Sequence, residues 1–426
     1  MYILLFFLIL VTYLDRTCIG LASVSIKSEF KLTDTQWGWV GSFFALAYAL
    51  FEIPSGVLGD RIGQRKVLLR IVLWWSLFTA LTGLTTGFVS LIIVRFLFGM
   101  GEAGAFPNSA GVISHWFPAK ETARGLSALY IGSNAGAALA PLIVIPVMIA
   151  FGWRATFFVN TFLGVLWALV CFVWFRNNPS EMRKITEDEK HYIEKNRRVK
   201  THQLRFPWKR AFANSSFRAL MTSFFCSQWG LYFFLFWLPA YLLEGRHFSE
   251  SDEKWVVSSV FIAGIFGSVI SGWLSDWLVK RKGLRFGRRV IGATALGALA
   301  ISFFVEAITT SNTVVVIALL IGYLIFSSNG LVATSVCIDI GCERAGTAAA
   351  IVNFFGQMGS FFLGIVFGKL VDYAHNFNLA LYLLVFVLSI GSLSWLAVDP
   401  TQQLISEEEL SPTLIDVYEY ENKRLE

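Results

Sequence analysis

The stretch Gly56–Lys66, GVLGDRIGQRK, follows a long apolar run and places an aspartate ahead of three basic residues. A related stretch, GWLSDWLVKRK, covers residues 272–282 and also follows an apolar run. The two stretches begin 216 residues apart in a chain of 426 residues. A second pair, ETARG at 121–125 and ERAG at 343–346, repeats at nearly the same offset. These repeats predict a chain built from two related halves.

The composition indicates a protein that lies within a membrane. Apolar residues make up 55% of the chain and charged residues only 15%, which is more apolar surface than a soluble domain can bury. The net charge of +6 does not indicate nucleic-acid binding, because the basic residues cluster in short loops and form no continuous stripe. A lipid bilayer is therefore the expected surrounding and nucleic acid is not a predicted partner.

Apolar runs of about 20 residues are long enough to cross the hydrocarbon core of a bilayer. The sequence contains twelve of them, at 2–23, 36–59, 67–87, 90–114, 122–149, 154–175, 218–243, 254–279, 289–308, 313–335, 345–370 and 377–397. The first run lacks the basic start and the cleavage site of a signal peptide, so we predict it to be the first membrane helix.

The long polar segment between the sixth and seventh runs holds twelve Lys and Arg against five Asp and Glu. Because short loops rich in Lys and Arg stay in the cytoplasm, this segment and the loops containing Arg61, Lys120 and Arg288 predict that both termini are cytoplasmic. We predict a six-helix bundle at 1–175, a cytoplasmic linker at 176–217, a second bundle at 218–399 and a cytoplasmic tail at 400–426.

The repeated motif resembles the loop motif of the major facilitator superfamily. The pattern G-x-L-x-D-R-x-G-x-R-K is formed by Gly56, Leu58, Asp60, Arg61, Gly63, Arg65 and Lys66, and a degenerate copy by Gly272, Leu274, Asp276, Lys280 and Arg281. Within that superfamily, TYLDRTCIGLA in the first run and RFLFGMGEAGAFP at 95–107 resemble the anion:cation symporter family. That family includes bacterial carriers of galactonate, glucarate and hexuronates, and animal sialic acid and vesicular glutamate transporters.

The resemblance implies an all-α membrane protein with twelve transmembrane helices in two six-helix halves. It also implies proton-coupled uptake of an organic anion by alternating access, with a hexonate, hexuronate or aldarate as the expected substrate. We expect a monomer in the inner membrane that is not an enzyme and needs no cofactor or metal. A major facilitator exporter of drugs or metabolites, and a carrier of non-sugar mono- or dicarboxylates, remain alternatives.

Arg16 is the predicted partner of the substrate carboxylate. A guanidinium stays charged at any working pH and can make two parallel hydrogen bonds to a planar carboxylate. The alternative is a structural ion pair with Glu102 or Asp15. The presence of Arg16 also argues against an exporter of cationic drugs. The cavity of such an exporter is expected to hold acidic side chains without a neighbouring cation, because its substrates are often cationic.

Asp15, Glu102 and Arg95 are the predicted proton-coupling residues. A carboxylate near an arginine changes its affinity for protons when the arginine changes partner. Arg95 and Glu102 are seven residues apart, which places them on one helical face. We expect Asp15 to point at Arg95 and Glu102 at Arg16. A purely structural network is the alternative.

The hydroxyl groups of a sugar acid require polar side chains within apolar helices. The candidates for this role are Tyr48, Ser133, Asn134, Gln228, Ser328, Asn329, Asn353 and Gln357. Each of them could instead make a hydrogen bond between helices. Tyr48, Asn353 and Gln357 gain support from the usual binding site of the family.

The loop motif predicts a cytoplasmic latch between the halves, formed by Gly56, Asp60, Arg61, Gly63, Arg65, Lys66 and Asp276. An acid at the end of a helix can bind cations or a helix N-terminus of the other half in one conformation only. Glu52 departs from the family, whose members usually carry glutamine one turn before this motif, so it is a candidate second proton site or latch contact.

Two further kinds of site are not supported by the sequence. Gly99–Gly104 matches the dinucleotide pattern G-x-G-x-x-G, but it lies within an apolar run and follows no strand. The five histidines do not cluster, so neither a metal site nor an enzyme constellation is predicted.

Overall fold

The computed structural model describes residues 1–118, 121–182, 185–196, 206–341 and 344–404. Lys120, parts of the predicted linker and most of the predicted tail lie outside these residues. The described residues form helices and no strands. Twelve helices are long and apolar enough to span a membrane, so the predicted fold class is confirmed.

The spanning helices are labelled α1 to α12 in chain order. Their bounds are Tyr2–Leu21, Asp34–Ile62, Gln64–Gly83, Phe88–Trp116, Arg124–Phe151, Trp153–Trp174, Ser215–Gly245, Glu250–Lys282, Leu284–Ile308, Asn312–Gly341, Ala345–Ala374 and Asn378–Trp395.

Several helices extend beyond the apolar runs that predicted them. The helix α2 begins at Asp34 and ends at Ile62, whereas the apolar run covers 36–59. At its start, the side chains of Thr33 and Gln36 form a reciprocal capping box. The apolar criterion detects the part of a helix that crosses hydrocarbon, and a capped helix continues into the polar region beyond it.

Three of the described spanning helices are locally irregular: α4, α7 and α10, which is interrupted at Ser327. In α4, the backbone turns at Gly104, which has a φ of 97° and lies against the side chain of Ser55. In α7, wider π-helical turns cover Phe233–Trp237 and Tyr241–Gly245. The first of these turns lies where α1 crosses α7, and a Cβ atom at Gly20 would be 2.4 Å from the carbonyl oxygen of Leu235. The irregular segments therefore accompany close helix crossings.

The two six-helix units meet along α2 with α11, α5 with α8, and α1 with α7. The sequence repeats relate α8 to α2 and α11 to α5. The contacts of α2 with α11 and of α5 with α8 are therefore equivalent by the internal repeat. Such pairs of helices line the space between the halves in transporters with parallel repeats.

One end of the bundle is closed by charged contacts between the two units. Lys27 lies between Asp34 and Glu244, with Nζ 2.6 Å from a carboxylate oxygen of each. The carboxylate of Asp372 on α11 accepts hydrogen bonds from the backbone N–H groups of Asp34 and Thr35, at 3.0 and 2.7 Å. We call this end the Lys27 end, and the opposite end, which carries Asp60, the Asp60 end.

Close backbone packing continues from the Lys27 end towards the middle of the bundle. A Cβ atom added at Gly38 on α2 would lie 1.9 Å from the carbonyl oxygen of Gly364 on α11. One helical turn further, the Ser42 hydroxyl donates to the carbonyl oxygen of Phe361 at 2.7 Å. These contacts close the Lys27 end of the interface between the units.

Candidate substrate and proton site

The centre of the first unit contains a buried ion pair between α1 and α4. The Nε atom of Arg16 donates to Oε1 of Glu102, and both residues are buried. The guanidinium also lies over the rings of Tyr13 and Tyr48, with centroid distances of 5.1 and 4.7 Å. An arginine in such a site is stabilised by its carboxylate and by the faces of the rings.

The ion pair leaves one hydrogen-bonding atom of each residue without a partner. Nη2 of Arg16 and Oε2 of Glu102 are buried and have no hydrogen-bond partner among the residues that the structure describes. A buried polar atom without a partner loses its hydration and gains no compensating bond. A carboxylate ligand would supply the acceptor that Arg16 lacks.

The second predicted pair is not formed as a direct contact. Within the described parts of the chain, no nitrogen of Arg95 lies within 4.0 Å of a carboxylate oxygen of Asp15, and neither oxygen of Asp15 has a hydrogen-bond partner. The guanidinium of Arg95 instead lies over the ring of Phe98 at 4.3 Å. Asp15 still lies close enough to Arg95 and Glu102 on α4 to interact with both through charge.

Glu52 contacts the second unit and not the loop motif. It is buried on α2, and its two oxygens accept from Nδ2 of Asn353 on α11 at 2.7 and 2.6 Å. The sequence assigned these two residues to separate roles: Glu52 to a second proton site or a latch contact, and Asn353 to the binding of substrate hydroxyl groups. The structure joins them in one hydrogen-bonded pair.

Three further sequence candidates lie near helix crossings, and two of them form hydrogen bonds there. The ring of Tyr48 supports Arg16, as described above. Gln357 on α11 accepts from the hydroxyl group of Tyr232 on α7 at 3.0 Å. Asn134 on α5 accepts from the hydroxyl group of Tyr323 on α10 at 3.2 Å, across the two units.

The remaining polar candidates form local or packing contacts. The hydroxyl groups of Ser133 and Ser328 donate to carbonyl oxygens three residues earlier in their own helices, each at 2.7 Å. Asn329 accepts from the indole nitrogen of Trp395 at 3.1 Å, which fixes α10 on α12. Gln228 is buried on α7 beside Gly356 of α11. For these residues the contacts fit the packing role that the sequence left open.

Sequence reasoning missed several residues that the structure brings to the interface. Tyr13 lies three residues before Arg16, a spacing that places both on one face of α1 and could have identified it. The Tyr130 hydroxyl group is 2.7 Å from Oγ1 of Thr334, joining α5 to α10. Lys27 lies in the short helix Ser23–Phe30 and Glu244 in the last turn of α7, and nothing in the sequence relates one to the other.

Part of the loop motif is held by residues in α6 and just after it. Gly63 has a φ of 90° and lies against Asn177, whose side chain accepts from the backbone N–H of Arg65 at 2.9 Å. The Arg65 side chain donates to the carbonyl oxygen of Phe172. In the second copy, Asp276 is exposed and the preceding Ser275 accepts from Arg288 at 2.8 Å. The latch role stays a prediction.

Comparison with known proteins gives one family and several relatives. The family model described as Major Facilitator Superfamily matches residues 5–364. The chain is 30% identical to a probable sulfoacetate transporter of Cupriavidus necator over 405 residues, covering 94% of this chain and 93% of that protein. It is also 30% identical to a probable L-galactonate transporter of Escherichia coli, covering 92% and 87%. A hexuronate transporter of Bacillus subtilis is 30% identical, with 86% of each chain covered.

A solved structure resembles the fold over nearly its whole length. It is a bacterial homolog of the human lysosomal transporter Spinster in an inward-facing and unoccupied conformation, with a TM-score of 0.74 and 19% identity. The match covers 96% of this chain and 98% of that chain. At this identity the likeness concerns the fold alone.

Proposed function

We propose that this membrane transporter, which belongs to the Major Facilitator Superfamily, takes up an organic anion together with protons by alternating access. The proposed anion is a sugar acid: a hexonate, a hexuronate or an aldarate. The observation that carries the proposal is the buried pair of Arg16 and Glu102, which leaves one donor and one acceptor without partners among the described residues.

Binding and protonation are linked through a single guanidinium. A substrate carboxylate that makes two parallel hydrogen bonds to the Arg16 guanidinium displaces Glu102. Glu102 then loses its cation inside a buried site, where a carboxylate without a cation favours the protonated form. Anion binding therefore promotes proton binding, which is the linkage that a symporter requires. Asp15 and Arg95 are proposed to modulate this exchange through charge, because they lie on the same two helices.

The arrangement of the halves supports alternating access. The ion contacts of Lys27 and the cap supplied by Asp372 close one end, while the central pair lies deeper in the bundle. We assign the Asp60 end to the cytoplasm of a cell with an inner membrane, because the basic loops lie there. Both termini are then cytoplasmic, and the transporter is proposed to act as a monomer.

A carrier of non-sugar acids is the second candidate. The rings of Tyr13 and Tyr48 flank the guanidinium and offer apolar faces rather than hydroxyl partners. One relative is named a probable sulfoacetate transporter. A small acid with two anionic groups and no hydroxyl group would fit such surroundings.

Uptake into proteoliposomes tests the proposal and separates the two candidates. Labelled galactonate, glucuronate, glucarate and sulfoacetate are supplied outside, with the inside more alkaline by one pH unit. We expect accumulation of a sugar acid that stops when a protonophore removes the gradient. Sulfoacetate uptake alone would favour the second candidate. Uptake of every acid without any effect of the gradient would contradict proton coupling.

A further inference from the structure

Arg16 and Glu52 both neighbour Tyr48, and they carry opposite charges. The guanidinium of Arg16 lies over the Tyr48 ring, 4.7 Å from its centroid. Glu52 follows Tyr48 by four residues on α2, so the two side chains share a helical face, with Cβ atoms about 5–6 Å apart. Glu52 is also close enough to Arg16 to interact with it through charge. The far end of a six-carbon acid whose carboxylate binds Arg16 can therefore reach Glu52.

Glu52 can accept further hydrogen bonds from such a ligand. Its two oxygens accept from Nδ2 of Asn353 at 2.7 and 2.6 Å. An ionised carboxylate offers about four acceptor positions, whereas an amide nitrogen has two protons, so about two positions remain. The hydroxyl groups of a sugar acid are donors that fit these positions.

The surroundings of Glu52 offer no cation to a second anionic group. In the part of the chain that the structure describes, no nitrogen of a Lys, Arg or His lies within 4.0 Å of its carboxylate. The other buried arginine, Arg95, lies over the ring of Phe98 on α4. Arg95 is close enough to Asp15 and Glu102 to interact with both through charge. Its charge is therefore already offset by acids of the first unit.

The buried charges show which form Glu52 takes in the empty site. This region holds three acids, Asp15, Glu52 and Glu102, and two cations, Arg16 and Arg95, and all five are buried. One acid must therefore carry a proton for the site to be neutral. Asp15 is that acid, because neither of its oxygens has a hydrogen-bond partner among the described residues. Glu52 and Glu102 both accept hydrogen bonds, which favour the ionised form.

Only a monoanion keeps the loaded site neutral when Glu52 is ionised. In the proposed symport, a monoanion on Arg16 displaces Glu102, which then binds a proton, so positive and negative charges remain equal. A dianion adds one more negative charge and holds it beside Glu52. Like charges placed together in a buried site repel strongly.

We propose that Glu52 determines the charge of the substrate. It accepts hydroxyl groups from the far end of a monoanionic sugar acid, and it rejects acids that carry a second anionic group. The inference rests on the proposed transport of sugar acids and narrows it to hexonates and hexuronates. Aldarates and sulfoacetate are excluded by their second negative charge.

Galactonate and galactarate form a matched pair of probes, because they differ only at the sixth carbon, which is a hydroxymethyl group in one and a carboxylate in the other. Calorimetry with purified protein at pH 7 measures the affinity for each. We expect galactarate to bind the unsubstituted protein about 10- to 100-fold more weakly than galactonate. Glu52→Gln removes the charge and supplies an N–H donor, so galactarate should bind it about 10- to 100-fold more tightly than it binds the unsubstituted protein. Its affinity for galactonate should change less than about threefold.

Variants of Asn353 separate the charge of Glu52 from its hydrogen bond. Asn353→Ala removes the bond and leaves the charge, so the preference for galactonate over galactarate should persist. Asn353→Lys places a cation beside Glu52 without changing it, and should also raise the affinity for galactarate. Glu250→Gln removes an exposed glutamate at the start of α8 and should leave both affinities unchanged. Melting temperatures establish that each variant is folded.

The outcomes distinguish this inference from the proposed function. Equal binding of both acids by the unsubstituted protein would overturn the inference, and proton-driven uptake of galactonate would then leave the proposed function intact. Continued rejection of galactarate by both Glu52→Gln and Asn353→Lys would also overturn it, because the preference would then depend on shape. Binding of neither acid to the unsubstituted protein would contradict the proposed sugar-acid transport and the inference with it.

Discussion

Arg16 on α1 and Glu102 on α4 form a buried ion pair through Nε and Oε1, within the first six-helix unit. One guanidinium therefore has two possible anionic partners, the glutamate of the protein and the carboxylate of a substrate. In the proposed symport, competition for that guanidinium links anion binding to the protonation of Glu102. The pair provides a physical basis for coupling without a metal or a covalent step.

Replacing Glu102 with glutamine tests this linkage. The amide imitates the protonated acid, so Arg16 stays available to the substrate while no proton can be exchanged at this position. We expect uptake driven by a pH gradient to disappear and counterflow exchange of galactonate to continue. Reconstituted protein with a fixed internal galactonate concentration allows both to be measured. Normal proton-driven accumulation in this variant would transfer the coupling role to Asp15 or Glu52.

The close contact between Gly38 and Gly364 predicts how the Lys27 end responds to added volume. Gly38→Ala places a methyl group where the Gly364 carbonyl oxygen lies, so α2 and α11 must separate at this end. Spin labels at the exposed residues Lys31 and Asn376 should report a longer distance than in the unsubstituted protein. Galactonate exchange should slow because closure is hindered.

The control for that variant is Gly272→Ala on α8, where a Cβ atom meets no other atom within 4 Å. Its label distance should equal that of the protein with Gly272 retained. An unchanged distance in Gly38→Ala would mean that the contact does not limit closure.

The latch prediction concerns the Asp60 end. Asp60→Asn removes the charge that would bind a cation or a helix N-terminus when this end is closed. We expect the state open at the Lys27 end to become less populated and turnover to fall. The affinity for galactonate in the favoured state should change little. If initial uptake rates stay at the unsubstituted level, the motif has another role, such as folding or insertion.

The sequence predicted the fold well because hydrocarbon imposes a length on every spanning helix. All twelve runs became helices. The relation between the halves, indicated by the repeats around Asp60 and Asp276, stays a prediction. Helix ends were less well predicted, because caps such as Thr33 lie in polar surroundings that the apolar criterion ignores. The charges of the loops predict an orientation, and labelling of a single introduced cysteine tests it.

The site was predicted in part. Arg16 and Glu102 stood out because ionisable residues within apolar runs are costly, and the structure places them in contact. The expected contact between Asp15 and Arg95 depended on side-chain direction, which the sequence does not supply. Asn329 and Asn353 have the same chemistry, yet one packs on Trp395 and the other meets Glu52. Only the three-dimensional arrangement of the helices distinguishes them.

The orientation prediction is tested with a cysteine at Asn196. This residue ends the short exposed helix Glu187–Asn196 between the two units, and the described native cysteines are buried. A membrane-impermeant thiol reagent should label Asn196→Cys only in cells whose membrane has been opened. The protein without this substitution serves as the background. Labelling in intact cells would place the segment outside and reverse the assigned orientation.

The central claim is that Arg16 binds the substrate carboxylate with its planar fork. Arg16→Lys keeps the charge but loses the two-point geometry, whereas a structural ion pair with Glu102 would accept a point charge. Calorimetry of galactonate binding, measured together with the melting temperature, separates these roles. We predict a melting temperature close to that of the unsubstituted protein and binding weakened about 10- to 100-fold, as expected for loss of a charge-assisted hydrogen bond. A lysine variant that binds galactonate as tightly as the unsubstituted protein would contradict the account.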